Sequence, residues 1–290
     1  MLRVVILAIF ISNLALGRDD VPGFRGDSGI FGPKYEVLLT RMAALKTQYP
    51  ELVTLVDYGA TNEGRTMRMI VVKRNMSVQG VRPTVVLDGT IHGDEFLNLE
   101  DRAPGAILEK ANTQGSVKTF LDKGGVFLFI PIINPDGYDH RQRGNANGVD
   151  LNRDWEVPSA GHKGFKQVES RLLHEAITKI KTEANLQIKF NVDYHCCAGA
   201  VLHPYAYKSA FLPSPEMARY APFTNLVKQI LNGDVGNASS ILGYTALGTT
   251  NDYFYEKHGS VSLTYEGDYG TEDDNFEEHL EWWESALSLL

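Results

Sequence analysis

Apolar positions along the 290-residue chain follow two periods. From Tyr35 to Tyr49 they recur three or four residues apart at Leu38, Met42 and Leu45, which sets them on one face of a helix that Pro50 ends. Leu52 to Tyr58 and Met67 to Arg74 flank Asn62-Glu-Gly-Arg65, so two strands joined by a turn are expected. Thr84 to Ile91 and Gly125 to Ile133 are short apolar runs, the signature of buried strands, and Ile188-Lys-Phe-Asn-Val-Asp-Tyr194 reads as a further short strand. Val168, Leu172, Ala176 and Ile180 stripe a second helix. Phe276, Leu280, Trp283, Leu287 and Leu290 stripe a C-terminal one, expected to pack on the sheet. Leu212-Pro-Ser-Pro-Glu216 reads as a surface loop. Strands alternating with helices, with no repeat and no linker, point to one α/β domain.

Composition narrows the class of protein. With 43% hydrophobic and 22% charged residues the chain is ordinary globular material, large enough for a substantial core. A net charge of -8 with no basic tract argues against nucleic acid or an anionic membrane surface as partner. Arg3, the apolar run Val4 to Ile11 and the small-x-small Ala15-Leu-Gly17 mark residues 1–17 as a secretory signal peptide, so residues 18–290 are expected as one exported domain, secreted or periplasmic. Beyond that segment no stretch is apolar for long enough to span a bilayer. The two cysteines, Cys196 and Cys197, are neighbours and cannot form a conventional staple. They are expected to line a pocket wall, a redox pair or a thiolate ligand being the sharper alternative. Asn75-Met-Ser77 and Asn237-Ala-Ser239 have the form of glycosylation sequons.

The chemistry lies at predicted strand ends. His92-Gly-Asp-Glu95 follows the Thr84 to Ile91 strand, and His195 follows the Ile188 to Tyr194 strand, the place where α/β sheets collect ligands and catalytic groups. Two imidazoles and one carboxylate form a zinc ligand set that leaves a position open for water. His92, Glu95 and His195 are therefore the expected metal ligands, for one zinc ion per chain.

Further motifs run in a fixed order: Asn62-Glu-Gly-Arg65, His92-Gly-Asp-Glu95, Asn134-Pro-Asp-Gly-Tyr138, Arg143 through Gly148-Val-Asp-Leu-Asn-Arg153, Asp193-Tyr-His195, His203-Pro-Tyr205 and Asn251-Asp252 leading to Glu266. In this series the chain resembles the zinc metallocarboxypeptidases of the carboxypeptidase A, B and E kind, from about Tyr35 to the C-terminus. The resemblance implies a three-layer α/β sandwich around a mixed, twisted eight-stranded sheet. It implies a zinc hydrolase that removes C-terminal residues from peptides or proteins by metal-activated water, with Glu266 as general base and Arg143 polarising the scissile carbonyl. Asn152 and Arg153 match the pair that grips the terminal carboxylate. Tyr244 matches the mobile tyrosine that closes over substrate, Asn251 the specificity position, and Asp150 a carboxylate that orients the first histidine ligand.

The chain departs from its relatives in two places: Asp154 stands where many have Asn, and Cys197 replaces a cleft-lining residue. With little chain before Tyr35 and 24 residues after Glu266, a compact catalytic domain is expected. The alternative activity within the same chemistry is an amidase or carboxypeptidase acting on cell-wall peptide stems. A non-catalytic binding module should have lost a ligand or Glu266, and this sequence keeps them all.

Overall fold

The structure, a computed structural model, describes residues 32–267 and 275–290, together with the backbone of two short paired strands, β1 (Arg25–Gly26) and β2 (Gly29–Ile30). The signal segment expected at residues 1–17 lies outside the described residues. The strands β3 (Val53–Ala60), β4 (Thr66–Lys73), β5 (Arg82–Gly89), β6 (Val126–Ile130), β7 (Leu186–Cys196), β8 (Ala200–Leu202), β9 (Asp234–Gly236) and β10 (Val261–Gly267) form one eight-stranded sheet in the order β3-β4-β6-β5-β7-β10-β8-β9. It is mixed. The central strands β6, β5, β7 and β10 run parallel, and antiparallel pairs bring in β3, β4 and β8.

Side chains alternate between the two faces of these strands, and each face builds its own core. On one face Val85, Leu87, Phe127, Phe129, Val192 and Leu263 meet helices α2 (Leu99–Lys110), α3 (Ser116–Asp122), α6 (Ser214–Leu226) and α9 (Phe276–Leu287), with Met42 of α1 (Tyr35–Gln48) at the edge. On the other, Val86, Leu128, Ile130 and Ile188 meet α5 (Val168–Glu183) and α8 (Thr250–His258). Two short helices, α4 (Pro135–His140) and α7 (Ala238–Ile241), complete the set. The three-layer α/β sandwich around a mixed eight-stranded sheet is the architecture expected from the sequence.

The expected elements are present with ends shifted by a few residues, and four details differ. The stripe Val168, Leu172, Ala176 and Ile180 is only half-buried, because α5 centres Leu173 and Ile177 on the sheet and turns Leu172 toward Gly59 of β3. The C-terminal helix stops at Leu287, leaving Leu290 exposed. The Leu212 to Glu216 segment is loop only as far as Pro213, after which Ser214-Pro215 opens α6, since proline is tolerated in a first helical turn. Asn237 is buried and its side chain caps α7 by accepting from Ser240 N–H, so this sequon is committed to a fold contact, whereas Asn75 is exposed.

Candidate active site

Three adjacent parallel strands deliver the central residues from their carboxyl ends. His92 and Glu95 follow β5, His195 is the penultimate residue of β7, and Glu266 is its register partner on β10. The His92 to Glu95 segment is a tight turn in which Glu95 N–H donates to His92 O. Gly93 in this turn lies so close to another segment that a Cβ would stand 2.0 Å from the Gly137 carbonyl carbon, and backbone cannot yield there. Any larger residue would push the turn, and both of its functional side chains, out of place.

His92 Nδ1, His195 Nδ1 and Glu95 Oε2 converge. The nitrogens are 2.9 and 3.0 Å from the Glu95 oxygen and 3.2 Å from each other. Each ring turns its other nitrogen outward: His92 Nε2–H donates to Asp150 Oδ1 at 2.9 Å, and His195 Nε2–H to Asp193 Oδ2 at 2.9 Å. With those protons committed, both Nδ1 lone pairs face the carboxylate oxygen, an arrangement that repels itself until a cation sits among the three. Their spacing falls a few tenths of an ångström short of the roughly 3.3 Å edge of a tetrahedral zinc site with bonds of about 2.0–2.1 Å. His92 and His195 are 3% and 2% exposed, so bulk water cannot relieve the repulsion. Among the described residues this is the one group of three or more His, Cys, Asp or Glu side chains spaced to hold a metal ion.

The surrounding charges keep the ligands in usable form. Burial opposes ionisation of Glu95, but the His195 and His92 rings beside it outweigh burial and hold the carboxyl well below the usual carboxylate range. Asp150 is likewise penalised by burial, yet the His92 ring and the Arg143 and Arg153 guanidiniums hold it low. Arg143 donates through Nη1 to Glu95 Oε1 at 2.9 Å and through Nη2 to Asp150 Oδ2 at 3.0 Å, which parks its charge at the lip of the cluster. Glu266 differs: burial raises its carboxyl above the ordinary value, while the His195 ring pulls it back.

One cleft of about 170 Å³ is lined by His92, Glu95, Arg143, Asn152, Arg153, His195, Tyr244, Asn251 and Glu266, while Asp150 sits behind it on His92. Such a volume is well under the roughly 300–1,000 Å³ of drug-sized sites and suits one amino-acid residue better than a long ligand. Tyr244 is 49% exposed and free of the core. Asn251 is buried; its Nδ2 donates to Leu202 O at 3.1 Å and to Thr264 Oγ1 at 2.9 Å, and its Oδ1 has no donor among the described residues. Asn152 Oδ1 accepts from Thr250 N at 3.1 Å, which ties the carboxylate-binding candidate to the start of α8. Arg153 donates to Asn152 O at 2.8 Å.

Cys196 and Cys197 line the same cleft, their sulfurs paired with one another, and neither joins the ligand group. Asp154 is buried away from the cleft, where it accepts from Lys166 N, Gln167 N and the Ser170 hydroxyl and so anchors the loop leading to α5. Two residues behind His195 have no role assigned by the motifs: Asp193, which accepts from its ring, and Thr250, whose hydroxyl donates to Asp193 Oδ2. The Asp-x-His spacing on a strand was the available signal, because residues two apart share a face.

Comparison with known proteins bears on this arrangement. The sequence profile of the peptidase M14 family, zinc carboxypeptidase, matches residues 38–277. A zinc carboxypeptidase of Saccharothrix mutabilis subsp. capreolus is 25% identical over 285 residues, 87% of this chain and 64% of that protein. An inactive metallocarboxypeptidase of Arthroderma otae is 28% identical over 212 residues, 61% of this chain and 36% of its own. The chain thus spans less than two thirds of the length of either relative. Among solved structures, thrombin-activatable fibrinolysis inhibitor superposes with a TM-score of 0.74 at 18% identity, over 89% of this chain and 74% of that one, a likeness of fold. With the profile matching most of its length and the His-Glu-His group at its strand ends, the chain belongs to the zinc carboxypeptidase family.

Proposed function

We propose that this chain is a zinc-dependent exopeptidase that hydrolyses the C-terminal peptide bond of peptides or proteins. One observation carries the reading: the His92, Glu95 and His195 donors share a single-residue-sized cleft with the half-buried Glu266 and two arginines. His92 Nδ1, Glu95 Oε2 and His195 Nδ1 would hold one zinc ion, and when bound it would supply Lewis acidity and a water acidified toward neutral pH.

The remaining chemistry belongs to the chain. Glu266, its proton affinity raised by burial, would take a proton from the water and deliver it to the leaving amine, a task favoured by a pKa nearer the working pH. Arg143 would turn from Glu95 and Asp150 toward the carbonyl oxygen as negative charge develops there. Arg153 and Asn152 would hold the terminal carboxylate, a planar anion that suits a guanidinium fork. Tyr244, half-exposed at the mouth, would close over the bound residue and exclude water. Asp150 and Asp193 would fix the two imidazoles so that each Nδ1 faces inward. Export, read from residues 1–17, belongs to the same proposal. No helix among the described residues is long and apolar enough to cross a membrane.

Incubation of zinc-loaded protein with C-terminally varied peptides and with a muropeptide, read by mass spectrometry, tests the reading. Loss of single C-terminal residues is expected, with His195→Ala losing both zinc and activity. Cleavage of the muropeptide alone would move the chain to the cell-wall amidase class. Cleavage of neither would make it a binding module.

A further inference from the structure

On the sheet face covered by α8, a line of polar side chains runs under His195 across three parallel strands. The Ser262 hydroxyl donates to Asn191 Oδ1 at 2.9 Å, and Asn191 Nδ2 donates to Asp88 Oδ1 at 3.1 Å. Further along, His195 Nε2–H and the Thr250 hydroxyl both donate to Asp193 Oδ2. Ser262, Asn191, Asp88, Asp193 and Thr250 are each 0% exposed, so water cannot complete the bonding. The line has one gap: Asp88 Oδ2 and Asp193 Oδ1 are both buried with no donor among the described residues.

The gap lies at two carboxyls carried by neighbouring strands. Asp88 on β5 and Asp193 on β7 are register partners on adjacent parallel strands. Partners in register leave the same face of a sheet roughly 5 Å apart at Cβ, and Asn191, bonded to Asp88, is two residues from Asp193 on that face. Two ionised carboxylates so placed, each with a bare oxygen, would repel in a dry interior. A single shared proton supplies a donor to one and an acceptor to the other.

We propose that Asp88 carries this proton and donates it from Oδ2 to Asp193 Oδ1, making Asp88 a positioning residue that fixes the carboxylate orienting His195. The bonding pattern places the proton. Asp193 Oδ2 already accepts from two donors, one an imidazole N–H, whereas Asp88 accepts a single neutral amide. Burial pushes the Asp88 carboxyl well above the ordinary value, and the neighbouring Asp193 pushes it further. The closed line then runs from Ser262 through Asn191, Asp88 and Asp193 to His195, and holds the ring with Nδ1 toward Glu95 and His92.

The inference rests on His92, Glu95 and His195 being the metal centre, and the test separates the two. Zinc affinity of wild type, Asp88→Asn and Asp88→Leu is measured by competition with a chelator, with circular dichroism as the check on folding. Asn offers an amide donor to Asp193 and an acceptor to Asn191, so Asp88→Asn is expected to bind zinc within about threefold of wild type. Asp88→Leu removes both and is expected to bind at least about tenfold more weakly, the usual scale for losing support behind a ligand. Infrared difference spectra should show one carboxylic-acid C=O band at neutral pH that Asp88→Asn lacks. Equal affinity in all three proteins would overturn the positioning role. Equal losses in Asn and Leu, or a difference spectrum without the acid band, would overturn the proton assignment. A wild type that holds no zinc would remove the metal-centre reading, while the infrared band would still decide whether Asp88 is the acid.

Discussion

His279 allows a stability prediction to be worked out in numbers. It is fully buried among Tyr194, Tyr265, Trp282 and Trp283, and neither ring nitrogen has a partner among the described residues. Burial among apolar rings pushes its pKa down to about 3 from an ordinary value of 6.5. Below about pH 6.5 the unfolded chain takes up a proton that the folded chain refuses, so stability falls as pH drops from about 6.5 toward 3. At 1.36 kcal/mol per pKa unit, the cost at pH 5 is about 1.5 units, or about 2 kcal/mol, against about 0.2 kcal/mol at pH 7. His279→Leu, of similar volume, removes the titrating group and keeps the packing, with a cost at pH 7 of about 1.5 kcal/mol or less. Urea unfolding of both proteins at pH 7 and pH 5 gives the double difference, in which other titrating groups cancel. The variant should lose about 2 kcal/mol less than wild type on acidification. Equal losses would refute the argument and mean that His279 takes up a proton in the folded protein or is not sealed from water.

Two predictions concern the cleft itself. Glu266→Gln keeps size and hydrogen bonding but removes the base, so zinc content should hold while kcat falls by about 10²-fold or more; loss of zinc would instead make Glu266 a ligand. Asn251, proposed at the specificity position, supplies no negative charge and leaves its Oδ1 without a donor among the described residues, so peptides ending in neutral residues should be cut faster than those ending in Lys or Arg. Faster release of C-terminal Arg than of Phe, Leu or Asn in matched peptides would contradict this.

The residues explain why much of this was legible in the sequence and some was not. The strand ahead of His92 is a near-continuous apolar run because both faces are covered, and the strand bearing His195 alternates apolar with polar residues at period two, so both stood out whatever their neighbours. Helix α2 did not, since Pro104 and Gly105 interrupt its middle and read as a breaker, although tertiary packing of Leu99, Ala103 and Ile107 overrides that local cost. β10 escaped for a different reason. Ser262 and Thr264 dilute its apolar pattern, and they are polar because they serve buried partners, Asn191 and Asn251. The three-residue strands β8 and β9 carry too little pattern to be read at all. At the site, the residues that meet in the cleft were ones motif spacing had picked out, whereas the polar line behind His195 depends on which strands lie side by side. Asp88 and Asp193 are 105 positions apart in sequence and partners only in the sheet.

The most direct test of the proposed activity compares one peptide in two forms, with a free C-terminal carboxylate and with a C-terminal amide. Arg153 and Asn152 are argued to bind that carboxylate, and a charge-assisted grip in a partly desolvated cleft helps position the scissile bond. Zinc-loaded wild type should show a kcat/KM at least about 10²-fold higher on the acid, equivalent to about 2.7 kcal/mol of transition-state binding. Arg153→Ala should erase the difference by slowing the acid alone. Equal rates on the two forms by the wild type would contradict the account, because an enzyme indifferent to the terminal carboxylate is no carboxypeptidase.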